Sequence, residues 1–212
     1  GIVNTVADNA IGLGQMASGV DGNVISYDAS GNPVAVATGS DGQVLTSTGA
    51  GSPPAFETLS AGTVLQRVKV FSSAAVTLSG NIPMNTTIPQ ITEGTELYTL
   101  AITPKSNDSV LYFQGIITAT PDSGSIDIVM PMFVDTTANA LFTSYNYSVA
   151  VNYRVQSVIY GSVASGSTSA RTYRLRVGAN SSTDLEINQM NGAGGKFGGT
   201  WGSGFEITEV AN

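Results

Sequence analysis

Two rhythms divide the chain. From about Ala61 onward, apolar and polar residues alternate with a period of two, the mark of strands that bury one face. Val64–Phe71 sets Val64, Val68 and Val70, with Gln66 interrupting, against Leu65, Arg67 and Lys69. Leu97–Thr103 follows, closed by the turn text Pro104–Asp108, and Val110–Thr118 runs on from it. Ile126–Val134 puts Ile126, Ile128, Met130, Met132 and Val134 on one face. Val149–Tyr160 sets Val149, Val151, Tyr153, Val155 and Ile159 opposite Asn152, Arg154 and Gln156. Tyr173–Val177, Thr183–Ile187 and Phe205–Val210 complete the set. About eight strands separated by Gly, Ser, Asn and Pro turns predict an all-β chain with a C-terminal antiparallel β-sandwich, most naturally a jelly roll.

Before Ala61 the rhythm is shorter. Ile2–Met16 carries a loose helical spacing of Val3, Val6, Ala10, Leu13 and Met16, weakened by Gly12 and Gly14. Turn chemistry then dominates, with Asp21-Gly22, Gly31-Asn32-Pro33, Asp41-Gly42 and Pro53-Pro54 leaving room for strands of only four to six residues. A twenty-residue unit is written twice: DGNVISYDASGNPVAVATGS over 21–40 and DGQVLTSTGAGSPPAFETLS over 41–60. Each copy holds few apolar side chains, so the repeat must bury its face against a neighbour. The missing partners are expected to be other chains, with Val24, Ile25, Val44 and Leu45 on the shared seam. The expected division is 1–60 as an attachment segment and repeat shaft, and 61–212 as the head.

Composition narrows the function. Charged residues make up 11% of 212, the formal charge is −7, and no Lys or Arg precedes Arg67. Without a basic stripe, nucleic-acid binding is not expected. Arg171, Arg174 and Arg176 cluster, and the last two read as a solvated face opposite Tyr173, Leu175 and Val177. Cysteine is absent, which excludes disulfides and thiolate metal sites. No apolar run reaches the roughly 18 residues of a membrane helix, so insertion is not expected. The chain opens at Gly1 without methionine, which reads as a processed or trimmed start.

Histidine is also absent, removing the usual general base and the Ser/His/Asp and Cys/His arrangements. Hydrolysis would need a carboxylate pair, and Glu93 with Glu96, Asp122 with Asp127 and Asp184 with Glu186 are the candidates. Acids at strand edges normally face water, and a non-enzyme without cofactor or metal is the expectation. The stretch Asn191–Gly199 reads as a tight loop rather than a phosphate cradle, because no helix follows it. Asp21, Asp28 and Asp41 read as turn caps, since calcium-loop spacing is not met. Aromatics are the better recognition candidates: Tyr145, Tyr147, Tyr160 and Trp201, whose rings can stack on sugar faces. A core or interface role competes, because Tyr145 and Tyr147 share the inward parity of Tyr153 and Trp201 lies just before the closing strand.

The text of Val6–Thr58 resembles the repeated shaft of bacteriophage tail-fibre and virion-fibre proteins. TEGTELYTLAITPKSNDSVLYF (Thr92–Phe113), YRLRVGANSSTDLEIN (Tyr173–Asn188) and FGGTWGSGFEITEV (Phe197–Val210) resemble the head that often follows it. The resemblance implies a homotrimer with a jelly-roll head like tumour-necrosis-factor and complement-type trimers. It also implies placement on a virion's tail or capsid, contact with other virion proteins through the N-terminal region, and a host-surface polysaccharide or protein as receptor. A capsid-attached head fibre or decoration protein is the alternative. A polysaccharide-cleaving tailspike fits less well, since the chain is too short to hold a long β-helix beside its sandwich.

Overall fold

The computed structural model describes residues 18–212, so the helical pattern of Ile2–Met16 lies outside the described residues. The chain divides into two compact units, 1–59 and 60–212.

In the first unit each repeat is a two-stranded antiparallel hairpin. β1 (Val24–Tyr27) pairs β2 (Pro33–Val36), and β3 (Val44–Thr46) pairs β4 (Ala55–Glu57). The turn between β1 and β2 is held by Asp28, whose carboxylate accepts the backbone N–H groups of Ser30 at 2.8 Å and Asn32 at 2.9 Å. Those bonds, led by Asn32's backbone N–H, hold the exposed Asp28 carboxyl below its ordinary pKa. The capped-turn reading of Asp28 therefore has its geometry. The copies are not identical in register: Val24 faces Val36, whereas the equivalent Val44 faces Glu57 rather than Phe56. Pro54 stands where the first copy has Val34, and proline has no N–H to donate, so β4 starts only at Ala55.

The second unit is an antiparallel jelly-roll sandwich. One sheet has the order β10-β9-β12-β7, formed by Phe142–Ser148, Ile126–Val134, Arg171–Ala179 and Thr95–Ile102. The other runs β5 (Val64–Ser72), β14 (Ser203–Val210), β8 (Val110–Pro121), β13 (Leu185–Ile187) and β6 (Val76–Leu78). β11 (Val155–Ala164) lies along the other side of β8. Phe113 fills the centre, with Phe142 edge-on at 5.3 Å and Tyr173 at 4.9 Å between ring centroids. Around it pack Ile117, Ile128, Met130, Leu175 and Ile207. β9 is more buried than its alternation predicts, because Val129 and Phe133 on the other face are also covered. That makes Ile128–Val134 a continuous apolar run covered on both faces.

The strand expected over Val149–Tyr160 does not exist as one element. Residues 149–154 form a turn in which Asn152 adopts φ +58° and donates its backbone N–H to Pro121 O at 2.9 Å, while Tyr153 N–H donates to Ala150 O at 3.2 Å. The turn separates β10 from β11 and breaks the parity argument. Val149, Val151 and Tyr153 are consequently exposed rather than inward. β10 itself went unread because its text, Phe142–Ser148, is mostly polar, and β6 is too short to show a pattern.

Candidate binding surfaces

The outer face of the second sheet is built by register. Across β11, β8, β14 and β5 one row reads Val158, Ile116, Gly204, Phe71, and the next reads Tyr160, Gln114, Glu206, Lys69. Each of these positions has the opposite parity to the core residues of its strand: Ile116 lies between Gly115 and Ile117, and Phe71 follows Val68 and Val70. Phe71 is 65% exposed, Ile116 47%, Val158 62% and Tyr160 67%. Gly204 admits no side chain, since a Cβ would fall 2.1 Å from Val70 O. The row therefore dips at its third strand, and a groove of about 650 Å³ opens there between Phe71, Ile116, Val158 and Tyr160. A contiguous apolar patch of this kind on an open sheet marks an interaction surface. Tyr160 belongs to this patch, in the middle of β11 rather than at a strand end.

Trp201 lies at the edge of this surface, since the next residue, Gly202, lines the groove beside Phe71. It is half-buried at the end of the glycine-rich loop, with Phe197 nearly perpendicular to it at 6.4 Å and the Arg154 guanidinium 5.9 Å from its ring centre. Phe197, which sequence reasoning passed over, is 73% exposed and holds φ +52°, a left-handed conformation that costs a bulky residue of order 1–3 kcal/mol. The loop is tied down by Glu186, a buried residue whose Oε1 accepts Gly192 N–H at 2.6 Å. Arg154 comes from the end of the 149–154 turn, 47 residues earlier in the chain, so only the fold could reveal this group.

Tyr145 and Tyr147 project outward from β10, not into the core. They share one face of an edge strand by their two-residue spacing, and the turn that follows uncouples that face from the inward parity of Ile159. In the hairpins, Val24, Ile25, Val44 and Leu45 are all exposed within the single chain.

Among the described residues most of the candidate carboxylates have bonded partners; Asp122 and Asp184 are joined only through their backbones, Asp122 N–H donating to Asp184 O at 3.1 Å. Glu96 pairs with Arg174 at 3.1 Å and Arg176 at 3.9 Å, and Arg176 also donates to Glu93 O and Gly94 O, both at 2.7 Å. Arg174 and Arg176 thus form a bonded network rather than the free solvated face expected of them. Glu93 Oε2 accepts Gln90 N–H at 2.9 Å, and Asp127 takes the Asn180 amide. Glu209 was missed altogether. Fully buried on β14 in the inward series of Phe205 and Ile207, it accepts Lys105 N–H at 2.8 Å, Ser106 N–H at 3.1 Å and the Ser109 hydroxyl at 2.6 Å, with Gln66 beside it. Burial pushes its pKa up, but the bonds from Ser109, Gln66, Lys105 and Ser106 prevail and hold it below the ordinary value. The two ends of this bonding close the Pro104–Asp108 turn over the end of the sandwich, which is a structural task.

Residues 67–212 match the family model Chlam_vir, described as the Pgp3 C-terminal domain. Comparison with curated proteins gave no match. Among solved structures, the Eiger TNF from S. frugiperda aligns at 10% identity and TM-score 0.40, covering 69% of this chain and 94% of that one. The infectious bursal disease virus structures follow, the Gx strain at 8% identity and TM-score 0.33 over 84% of this chain, and the Gt strain at 10% and 0.32 over 85%. The alignment spans 44% and 45% of the respective virus chains, under half their length. The family match overturns the bacteriophage reading. The head segments quoted for that resemblance, Thr92–Phe113, Tyr173–Asn188 and Phe197–Val210, all lie inside the matched chlamydial domain, so they do not mark a tail fibre, a capsid fibre or decoration protein, or a tailspike. The assignment to a virion's tail or capsid surface falls with it. The Asp-Gly repeat that carried the remainder lies outside the match; its Asp-Gly pairs form the turns that lead into each hairpin, closed by Asn23 N–H donating to Val20 O and Gln43 N–H to Ser40 O.

Proposed function

The chain belongs to the family of the Pgp3 C-terminal domain, and from that premise we propose that it is a non-enzymatic, self-associating binding module, a homotrimer whose sandwich heads meet through their six-stranded sheets. The observation that carries this reading is the exposed apolar row Phe71, Ile116 and Val158 with Tyr160 beside it. Burying a side chain of this size is worth about 1.5–3 kcal/mol, so the row favours an apolar partner over water. A second copy is such a partner, and identical chains closing around one axis leave no copy with an open face. A jelly roll of tumour-necrosis-factor outline suits three copies in such a ring. The engagement of Glu93, Glu96 and Asp127 in structural bonds supports the non-enzymatic part.

Sedimentation equilibrium at micromolar protein should give three times the 21.7 kDa chain mass. Phe71→Asp combined with Val158→Asp should yield folded monomers, with the far-ultraviolet spectrum of the sandwich retained. A wild-type monomer or dimer, or a double variant that still forms trimers, rejects the assembly.

A further inference from the structure

We propose that the corner formed by Phe197, Trp201 and Arg154 binds an anionic saccharide, the sugar ring stacking on Phe197 and its acidic group meeting Arg154 and the neighbouring Lys196. This rests on reading the head as a binding module, but not on its being trimeric. Three independent features meet at the corner. The first is strain: the backbone holds an exposed phenylalanine at φ +52°, where glycine would be at ease, in a loop that already has glycine at 192, 194, 195, 198 and 199. Stability alone gives no reason for a large ring there. The second is bracing. Trp201 touches both Arg154, at 5.9 Å, and Phe197, at 6.4 Å, so it braces both and Phe197 is the ring left open to solvent. Glu186 anchors the loop from beneath through Gly192.

The third is charge. Among the described residues Arg67, Arg171, Arg174 and Arg176 each lie within 4 Å of a carboxylate, whereas Lys69, Lys105, Arg154 and Lys196 have no carboxylate partner; of these four, Arg154 lies against Trp201 and Lys196 directly precedes Phe197. In a chain of formal charge −7, two uncommitted cations beside an exposed aromatic corner select an anion attached to a flat apolar face. A uronate or a sulfated sugar has both parts. The ring's C–H face packs on the aromatic, and the acid takes the guanidinium.

Trp201 is the single tryptophan, so its fluorescence reports on this corner alone. Full-length protein is titrated with tetragalacturonate, a chondroitin sulfate tetrasaccharide and neutral chitotetraose. At least one acidic probe should give a saturable change, weaker in high salt, and the probe that does so identifies the acid group. Chitotetraose should bind at least fivefold more weakly. Phe197→Gly should weaken binding of the acidic probe about tenfold, as loss of one stacking contact implies, while its melting midpoint stays level or rises because the strain is gone. Arg154→Gln should erase the preference over chitotetraose. No saturable change with either acidic probe, equal affinity for the neutral one, variants that bind as wild type, or a lower melting midpoint for Phe197→Gly would each overturn the site. Sedimentation of the same samples separates the two readings: a trimer without response rejects the site alone, and a responding monomer rejects the assembly alone.

Discussion

In residues 60–212, strands of up to twelve residues close around Phe113 and leave Leu111, Ile117, Leu175 and Ile207 without solvent contact. In the two hairpins of the first unit, strands of three or four residues leave Val24, Ile25, Val44 and Leu45 open. Both regions use the same aliphatic and β-branched residues. What differs is the number of consecutive alternations between turns, because a three-residue strand offers one or two inward positions and a nine-residue strand four or five. A lone two-stranded hairpin is marginal in water, whereas a sandwich supplies its own partner for every buried face. The contrast is therefore between a region that closes a core within one chain, with one outer face left apolar, and one whose apolar side chains stay mostly open.

The largest expected effect strikes the closed core. Phe113→Ala removes the ring on which Phe142 and Tyr173 stand edge-on, and the sandwich should lose about 3–5 kcal/mol in chemical denaturation. Hydrogen exchange in β1 to β4 should not change in the monomeric background of Phe71→Asp with Val158→Asp. Equal destabilisation of the hairpins would mean that the two regions are one cooperative unit.

A smaller effect comes from the sandwich's closed end. Glu209→Gln sets an amide against donors from Lys105, Ser106 and Ser109, and should cost about 2 kcal/mol at neutral pH. The sign of its pH dependence follows from its environment: burial acts to raise its pKa, but the hydrogen bonds outweigh it, so the folded-state value lies below the ordinary 4.5. Its contribution is present above about pH 4.5 and fades as pH falls through the lower folded value. Urea midpoints measured from pH 7 to 3 should fall less steeply in the variant than in the wild type. Parallel curves would show that Glu209 keeps an ordinary carboxyl.

These cases also show where sequence stops being legible. The inward series Phe205, Ile207, Glu209 was visible as parity, yet a carboxylate at an inward position reads as a strand end unless its donors are known, and they come from a turn about a hundred residues away. The 149–154 turn was hidden for the opposite reason: Val149, Val151 and Tyr153 continue a false alternation through it, and only the left-handed Asn152 breaks it. Ile126–Val134 was plain because its boundaries and its apolar face are both local. Of the binding candidates, Trp201 could be named from its flanking glycines, but Arg154 and the strained Phe197 belong to it only through long-range packing and backbone conformation.

The smallest expected effect on the sandwich is also the most direct test of the hairpins. Val24→Asp with Val44→Asp places two carboxylates on hairpin positions that are exposed in one chain and, in the assembly proposed here, lie on the seam between chains. Within a single chain such exposed changes should move the sandwich's unfolding free energy by no more than about 0.5 kcal/mol. In the assembly they set like charges against one another where apolar contact was available, and the hairpins should open. Hydrogen exchange localises the response: amides of β1 to β4 should be protected in the wild-type trimer and exchange freely in the variant, while those of β8, β9 and β12 keep their rates. If wild-type hairpin amides are already unprotected and the substitutions change nothing, these valines face solvent and the seam placement is wrong. If the sandwich loses protection as well, the hairpins support the head, and the contrast between the regions is one of degree.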